Sequence, residues 1–292
     1  MALVRVQTIA ELRKHLDRSR NTGWRVGLVP TMGALHDGHA SLIRAAVAEN
    51  EAVVTTIFVN PLQFAPTEDL AAYPRDLETD AALAEAAGAR YLFTPSVDEM
   101  YPFGPRKVLT NVSVSSLSAT LDGAARPGHF DGVATVVAKL FAIAGMCRAY
   151  FGEKDFQQLA IVRRMAADLS FPVEIIGCPT AREPHGLAMS SRNRYLTAEE
   201  RTRAGVIHQA LQAGVSLVTS GESSVEAVLV AIRSVLAGEA SLTLDYAALV
   251  DPLTLEVPAA VAGTVRLLIG GRLGKARLID NIGATSPNER TS

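Results

Sequence analysis

The first 180 residues alternate between short apolar runs and segments whose apolar positions have helical spacing. The run at 52–59 is continuous, apolar and rich in β-branched residues, which is typical of a parallel strand buried on both faces. The same pattern predicts further strands at 25–30, 90–93, 149–151 and 173–176, and helices at 8–21, from about 38, at 76–87, 132–144 and 155–169. Strands and helices in alternation indicate an α/β fold, a Rossmann-like doubly wound parallel sheet with right-handed crossovers.

The pattern changes after residue 180. Two capping boxes, Thr197 to Glu200 and Ser223 to Glu226, mark the beginnings of helices. Apolar runs then predict strands at 242–250, 265–269 and 276–279, two of them joined by a turn at Gly270-Gly271-Arg272. We therefore expect a first domain over 1–180, a smaller C-terminal α+β domain over 181–283 and a disordered polar tail over 284–292.

The strongest candidate for chemistry lies where the first long apolar run gives way to a helix. Its sequence is Pro30-Thr31-Met32-Gly33-Ala34-Leu35-His36-Asp37-Gly38-His39. A helix N-terminus favours phosphate because it has unpaired N–H groups and a partial positive charge, and glycine lets a ligand approach the backbone. His36 and His39 can both donate to phosphate oxygens. The alternative is a turn whose histidines only cap the helix.

Two amide side chains, Asn60 and Gln63, come just after the run at 52–59. Ligands of open α/β sheets bind beyond the carboxyl ends of the strands. Amides placed there can hold a carboxylate or hydroxyl groups without adding charge. The alternative is an ordinary Asn-Pro turn.

Three basic residues occur near other predicted strand or domain ends. Arg126 precedes a helix, where it can serve an anionic ligand or pair with Asp122. Lys154 lies in the strand-to-helix junction 152–158, where a lysine can reach phosphate as a point charge. Arg192 follows Ser190 and Ser191, and together they form either a flexible phosphate clamp or a polar loop between domains.

These motifs carry a family resemblance. The segment 30–39 resembles the His-x-Gly-His motif of the class I nucleotidyl-transferase superfamily. Met189-Ser190-Ser191-Arg192-Asn193 resembles the Lys-Met-Ser-Lys-Ser loop of that superfamily, with Ala188 in the place of the first lysine. The ordered set of segments resembles the pantoate–β-alanine ligases over nearly the whole chain: 30–39, 58–64, 126–130, 151–158, 189–193 and 276–281.

The resemblance implies an ATP-dependent ligase with two half-reactions. Pantoate attacks the α-phosphate of ATP and gives pantoyl adenylate and pyrophosphate. The amine of β-alanine then attacks the acyl carbon and gives pantothenate and AMP. It also implies Mg²⁺ held mainly by the ATP phosphates, with no metal site on the protein, and a homodimer. The smaller domain would act as a lid that excludes water from the adenylate.

The resemblance also implies roles for individual residues. The catalytic groups would be His36, His39, Lys154 and Arg192. Pantoate and β-alanine would be bound by Asn60, Gln63, Arg126 and Gln158. ATP would be bound by Pro30, Met32, Gly33, Ala34, Leu35, His36, Asp37, Gly38, His39, Gly152, Glu153, Lys154, Asp155, Ala181, Met189, Ser190, Ser191 and Arg192.

Composition narrows the alternatives. A net charge of −2 and the lack of a long Lys/Arg run disfavour a tRNA-charging enzyme, and we expect no nucleic-acid partner. Cys147 and Cys178 have neither metal-ligand spacing nor a disulfide framework, and no apolar run suggests a signal peptide or membrane span. We therefore expect a cytoplasmic protein without membrane partners. Two further alternatives are a nucleotidyltransferase that leaves the nucleotide on its acceptor and a catalytically silent nucleotide-binding module.

Overall fold

A computed structural model describes residues 2–64, 70 and 73–289. The chain folds into two compact units. The first contains residues up to 153 together with 157–179, and the second contains 154–156 together with the residues from 180 onward. From the sequence we placed the domain boundary at 180. The sequence did not indicate that the short segment 154–156 groups with the second unit.

The first unit is built on a six-stranded sheet in which every neighbouring pair is parallel. Its order is β1-β4-β3-β2-β5-β6, which confirms the predicted Rossmann-like class. The strands are β1 (Val4–Val6), β2 (Val26–Thr31), β3 (Ala52–Ile57), β4 (Tyr91–Phe93), β5 (Cys147–Gly152) and β6 (Val173–Cys178). The short edge strand β1 was not predicted.

The order of the strands reverses between β2 and β5. From β2 the sheet runs through β3 and β4 on one side and through β5 and β6 on the other. β2 pairs with β3 along all six of its residues, whereas it pairs with β5 only at Gly27 and Leu28. Such a switch point opens a crevice beyond the carboxyl ends of the two strands, where ligands of this fold class bind.

Helices fill the connections of the first unit. They are α1 (Ile9–Asn21), α2 (Asp37–Glu49), α3 (Leu77–Ala86), α4 (Val97–Met100), α5 (Ser115–Ser118), α6 (Asp122–Ala125), α7 (His129–Ala144) and α8 (Phe156–Asp168). Short 3₁₀ turns occur at Pro61–Gln63, Pro105–Lys107 and Glu153–Asp155. The one-turn helices α4 to α6 were not predicted, and α7 begins three residues before its predicted start.

The apolar face of α2 anchors the segment that follows β2. Ala40, Ile43 and Ala46 are almost completely buried and pack in one cluster with Val29 and Val53 of the sheet. This spacing places them on one side of the helix. The start of α2 is therefore held firmly at the carboxyl edge of the sheet.

The second unit is a three-stranded antiparallel sheet with helices against it. The strands β7 (Leu242–Val250), β8 (Thr264–Leu273) and β9 (Ala276–Thr285) pair in chain order. The helices are α9 (Ala198–Arg203), α10 (Val206–Thr219) and α11 (Val225–Leu236), preceded by a 3₁₀ turn at Ser191–Tyr195. Its core contains Ile207, Leu211, Val228, Ile232 and Leu267. No helix in the described ranges is long and apolar enough to cross a membrane.

The predicted turn at Gly270-Gly271-Arg272 was wrong. These residues continue β8, which runs to Leu273, and the hairpin reverses at Gly274 instead. Gly270 lies opposite Tyr246 of β7, and a Cβ there would approach the Tyr246 ring to 2.5 Å. Because Gly270 has no side chain, there is room for the Tyr246 ring of the neighbouring strand.

Two smaller expectations also need correction. β9 runs through Thr285, and Asn288 donates from Nδ2 to the carbonyls of Gly221 and Val261, so the stretch at 284–289 is not a disordered tail. Residues 290–292 lie outside the described residues. The predicted box at Ser223 is shifted by one residue, because Ser224 is the N-cap of α11 and accepts from the N–H of Ala227.

We expect Gly270→Ala to destabilise the second unit by about 1–3 kcal/mol, since the added methyl group overpacks the Tyr246 ring. Denaturant unfolding measures the loss. Combining it with Tyr246→Ala removes the ring and should remove most of the cost of the methyl group. An unchanged cost in the double variant would show that the strain has another source.

Candidate functional site

The loop after β2 is held to the sheet by Thr31. Its hydroxyl donates to the carbonyl of Thr56 on β3 at 2.6 Å and accepts from the N–H of Gly33 at 3.2 Å. Gly33 and Ala34 then have φ values of +85° and +52°. The left-handed conformation is costly for alanine and persists only where its surroundings hold it.

Asp80 holds Ala34 in this conformation, and no motif in the sequence points to Asp80. The side chain is buried, at 3% exposure, and accepts from the N–H of Ala34 at 2.9 Å and of Leu35 at 2.7 Å. Asp80 lies in the first turns of α3, where the helix dipole favours negative charge. Its carboxylate thus joins α3 to the loop that precedes α2.

His36 and His39 cap α2 reciprocally. Nδ1 of His36 accepts from the N–H of Gly38 at 3.1 Å, and Nδ1 of His39 accepts from the N–H of His36 at 3.3 Å. Because both Nδ1 atoms accept, the neutral rings carry their hydrogen on Nε2. Both histidines therefore do cap the helix, and in the neutral form Nε2–H is the donor of each ring.

The backbone of this loop is less available to phosphate than the sequence suggested. The N–H groups of Gly33, Ala34, Leu35, His36 and Gly38 each have an acceptor within the protein. Side chains of the loop and of α3 accept from these groups, and at the start of α2 itself the N–H of Gly38 is paired with His36. A phosphate placed at this loop would be met by side-chain donors and the helix dipole, since these N–H groups are already paired.

Asn60 and Gln63 form one buried amide pair just beyond β3. Nδ2 of Asn60 donates to Oε1 of Gln63 at 3.1 Å and to the carbonyl of Gly132 at 3.0 Å. Nε2 of Gln63 contacts Sδ of Met32 at 2.7 Å, which joins the pair to the loop after β2. Asn60 is completely buried, and its amide supports Gln63.

Gly132 makes this arrangement possible. A Cβ at Gly132 would lie 2.2 Å from the carbonyl oxygen of Leu62. Only a glycine lets the first turn of α7 approach the Pro61–Gln63 turn so closely that its carbonyl reaches Asn60.

Arg126 belongs to the same network through His129. Nδ1 of His129 lies 2.8 Å from the carbonyl oxygen of Gln63, and Nε2 lies 2.9 Å from a nitrogen of Arg126. A carbonyl only accepts and a guanidinium only donates, so His129 carries its hydrogen on Nδ1. The half-buried Arg126 is therefore positioned by the residue that also holds the Gln63 backbone.

Two consecutive glutamines at the start of α8 have different environments. Gln157 is buried, and its amide accepts from the N–H of Asp122 and donates to the carbonyls of Leu117 and Thr120. Gln157 therefore ties α8 to the short helices before α7. The predicted ligand residue, Gln158, is half-buried.

In the second unit, β9 holds the backbone of Lys154. Nδ2 of Asn281 donates to the Lys154 carbonyl at 2.7 Å, and Oδ1 of Asn281 accepts from Nε of Arg266 at 2.7 Å. The Lys154 side chain is 15% exposed, and its Nζ lies 3.3 Å from Asp155. The guanidinium of Arg266 stacks 4.1 Å above the ring of Phe156.

The segment at 181–192 is a hairpin-like loop of the second unit. The N–H of Met189 donates to the Ala181 carbonyl, and Arg182 forms a bridge with Ala188. The Arg182 guanidinium is bidentate on Asp280, with contacts of 2.5 and 2.9 Å. The loop leads to Ser190, which caps the following turn, then to half-buried Ser191 and exposed Arg192.

The remaining predicted ligands lie at the edges of these segments. Pro30 and Gly152 lie near the carboxyl ends of β2 and β5, half-buried Glu153 follows Gly152, and Asp37 is exposed at the start of α2. Within the described part of the chain, no group of three or more His, Cys, Asp or Glu could hold a metal ion. Burial raises the pKa of Cys178 to about 11 and that of Cys147 to about 12, so both stay protonated near neutral pH.

A protein-family model and individual known proteins match this chain over most of its length. The model of the family described as pantoate-beta-alanine ligase matches residues 4–283. The pantothenate synthetase of Moorella thermoacetica is 49% identical over 277 residues, which cover 95% of this chain and 97% of that protein. The pantothenate synthetase of Deinococcus radiodurans is 54% identical over 264 residues, which cover 88% and 93%.

Solved structures agree with the sequence relatives. The crystal structure of pantothenate synthetase from Thermus thermophilus matches with a TM-score of 0.88 at 49% identity, covering 96% of this chain and 98% of that one. The pantoate-beta-alanine ligase of Francisella tularensis, solved in complex with beta-gamma ATP and beta-alanine, matches with a TM-score of 0.77 at 34% identity, covering 96% and 97%.

We expect Asp80→Asn to lower the free energy of unfolding by about 1–3 kcal/mol and to weaken ATP binding, because an amide nitrogen cannot accept from a loop N–H. Calorimetric titration with ATP measures the second effect. The control is Asp76→Ala, which removes the N-cap of the same helix without contacting the loop. Equal ATP affinities of Asp80→Asn and the unaltered protein would exclude Asp80 from shaping the nucleotide loop.

Proposed function

The chain belongs to the pantoate–β-alanine ligase family, and from that premise we propose how its residues divide the work of the reaction. The enzyme condenses pantoate with β-alanine to pantothenate and consumes ATP. The carboxylate of pantoate attacks the α-phosphate, pyrophosphate leaves, and the β-alanine amine then displaces AMP from the acyl carbon. The first step needs no nucleophile from the protein. The protein has to align the carboxylate with the phosphate and stabilise the charge that develops there.

The orientation of the Gln63 amide carries this proposal. Oε1 of Gln63 accepts from Asn60, so Nε2 is the end of the amide that presents hydrogens. Pantoate offers acceptors in its carboxylate and hydroxyl oxygens, and an amide N–H₂ matches them without adding charge. Gln63 and Gln158 hold pantoate, and Arg126 supports this region through His129.

The loop after β2 binds the phosphates of ATP. His36 and His39 donate from Nε2, since their Nδ1 atoms already accept backbone N–H groups. Asp37 and the backbone from Pro30 to Gly38 shape the surface on which the nucleotide rests. Hydrogen bonds from neutral imidazoles stabilise phosphate charge without requiring a protonated ring.

Lys154 and Arg192 supply the positive charge. Lys154 emerges from a backbone that Asn281 holds, and its side chain is largely shielded from water, which strengthens its attraction to a phosphate. Arg192, with Ser190 and Ser191, closes over the phosphates as a lid, and Met189 and Ala181 line the nucleotide. Gly152, Glu153 and Asp155 take the adenine and ribose. Mg²⁺ would be held mainly by the ATP phosphates and would offset part of their negative charge.

The proposal includes two properties of the whole enzyme that rest on the family resemblance. It works as a homodimer, and it works in the cytoplasm, where ATP is available. Light scattering coupled to size-exclusion chromatography tests the first property, and a monomer mass at working concentration would contradict it.

The decisive assay is pyrophosphate release from ATP with pantoate, in the presence and absence of β-alanine. We expect release to require pantoate, and AMP and pantothenate to accumulate once β-alanine is added. Pantoate-dependent release that β-alanine leaves unchanged would keep the adenylation step and point to another amine. No release with pantoate would contradict the substrate assignment.

We expect Lys154→Ala to slow adenylation by about 10²–10³, or about 2.7–4 kcal/mol, because one charge contact to the transition state is lost. Single-turnover adenylate formation measures the effect on this step alone. Lys275→Ala is the matched control, since it removes an exposed lysine of the same unit in the β8–β9 turn. Unchanged adenylation in Lys154→Ala would remove Lys154 from the mechanism.

A further inference from the structure

We propose that Tyr101 is a positioning residue for pantoate, acting at the end of a buried chain Tyr101–Asn60–Gln63 that holds the Gln63 amide in place for the substrate. The inference rests on the proposed role of Gln63 and deepens it. Tyr101 follows α4, lies 41 residues from Asn60 in the chain and is not among the residues that the motifs marked.

The chain of hydrogen bonds has a defined direction. Oδ1 of Asn60 accepts from the Tyr101 hydroxyl at 2.8 Å and from the N–H of Leu62 at 3.3 Å. A backbone N–H only donates and the Gly132 carbonyl only accepts, so the Asn60 amide has one orientation that satisfies both. Nδ2 of Asn60 then faces Gln63 and donates to Oε1 of Gln63.

Burial makes this orientation depend on protein groups alone. Asn60 is completely buried, Tyr101 is 3% exposed and Gln63 is 8% exposed. Burial raises the pKa of Tyr101 above its ordinary value, so the phenol remains a neutral hydroxyl that can donate. Without that hydroxyl, Oδ1 of Asn60 would keep only the longer contact with Leu62, and the Asn60 amide would hold Oε1 of Gln63 less firmly.

The Tyr101 ring is held independently of its hydroxyl. Its centroid lies 6.0 Å from that of Phe58, and Nζ of Lys139 lies 5.6 Å from the ring centroid. Tyr101→Phe keeps the ring and these contacts and removes one hydrogen-bond donor. The substitution therefore tests the hydroxyl with little change in packing.

The KM for ATP is the internal reference for the measurement. The proposed function assigns the phosphates of ATP to side chains outside the Tyr101–Asn60–Gln63 chain, whereas it assigns pantoate to the Gln63 amide. A loss that results from the position of this amide therefore raises the KM for pantoate more than the KM for ATP. General damage to the fold would raise both.

The experiment compares Tyr101→Phe with Tyr150→Phe. Tyr150 is also buried, at 1% exposure, and its hydroxyl donates to Glu49 and accepts from Asn50, so its loss costs a comparable hydrogen bond outside the Gln63 chain. Isotope exchange between pyrophosphate and ATP follows adenylation in both variants. We expect Tyr101→Phe to raise the KM for pantoate about three- to tenfold, which corresponds to the loss of one hydrogen bond. We expect Tyr150→Phe to leave the KM for pantoate unchanged.

A second arm places Tyr101→Phe in a Gln63→Ala background. If Tyr101 acts through Gln63, the further change in KM for pantoate should vanish there, since no amide is left to orient. An effect that persists in this background, or a Tyr101→Phe enzyme with an unaltered KM for pantoate beside an impaired Gln63→Ala enzyme, would overturn the inference. An unimpaired Gln63→Ala enzyme would instead contradict the proposed role of Gln63 itself.

Discussion

Buried polar groups have to find hydrogen-bond partners inside the protein, and the carboxyl edge of the first unit's sheet is arranged around that requirement. The carboxylate of Asp80 satisfies the N–H groups of Ala34 and Leu35 and so holds an alanine in a left-handed conformation. Nδ2 of Asn60 donates both to Gln63 and to the Gly132 carbonyl, and so joins the Pro61–Gln63 turn to α7. These bonds join protein groups to one another, so in the proposed mechanism the protein itself positions the groups offered to substrates, which lowers the cost of reaching the transition state.

The second unit meets the same requirement with two consecutive residues of one strand. Side chains of neighbouring strand residues point to opposite faces, so Asp280 and Asn281 reach different segments. Asp280 holds Arg182 at the base of the loop that leads to Ser190, and Asn281 holds the Lys154 carbonyl. A short stretch of β9 thus supports both segments of this unit to which the mechanism assigns positive charge.

In the proposed mechanism, charge and hydrogen bonding come from different groups. The imidazoles of His36 and His39 are built into the helix cap through Nδ1, a geometry suited to neutral donors. Lys154 and Arg192 carry the charge, and the amides of Gln63 and Gln158 recognise pantoate without adding any. This division suits a reaction in which the substrate's own carboxylate is the nucleophile and the protein has to accommodate charge that moves onto pyrophosphate.

The sequence by itself determined the features that depend on neighbouring residues. The bounds of β2 and the beginning of α2 were predicted to within one residue, because apolar runs, glycines and helix-start signals act over a few positions. The order of the motifs along the chain likewise identified the family. Tertiary structure alone decided that Gly270 belongs to a strand. A glycine is needed at this position because the Tyr246 ring of the neighbouring strand fills the space of a side chain. Tertiary structure also decided which residues support the site. Asp80 is 46 residues from Ala34, Tyr101 is 41 from Asn60, and Asn281 is 127 from Lys154. Such pairs leave no local pattern, because the hydrogen bond that joins them exists only after the chain has brought its distant parts together.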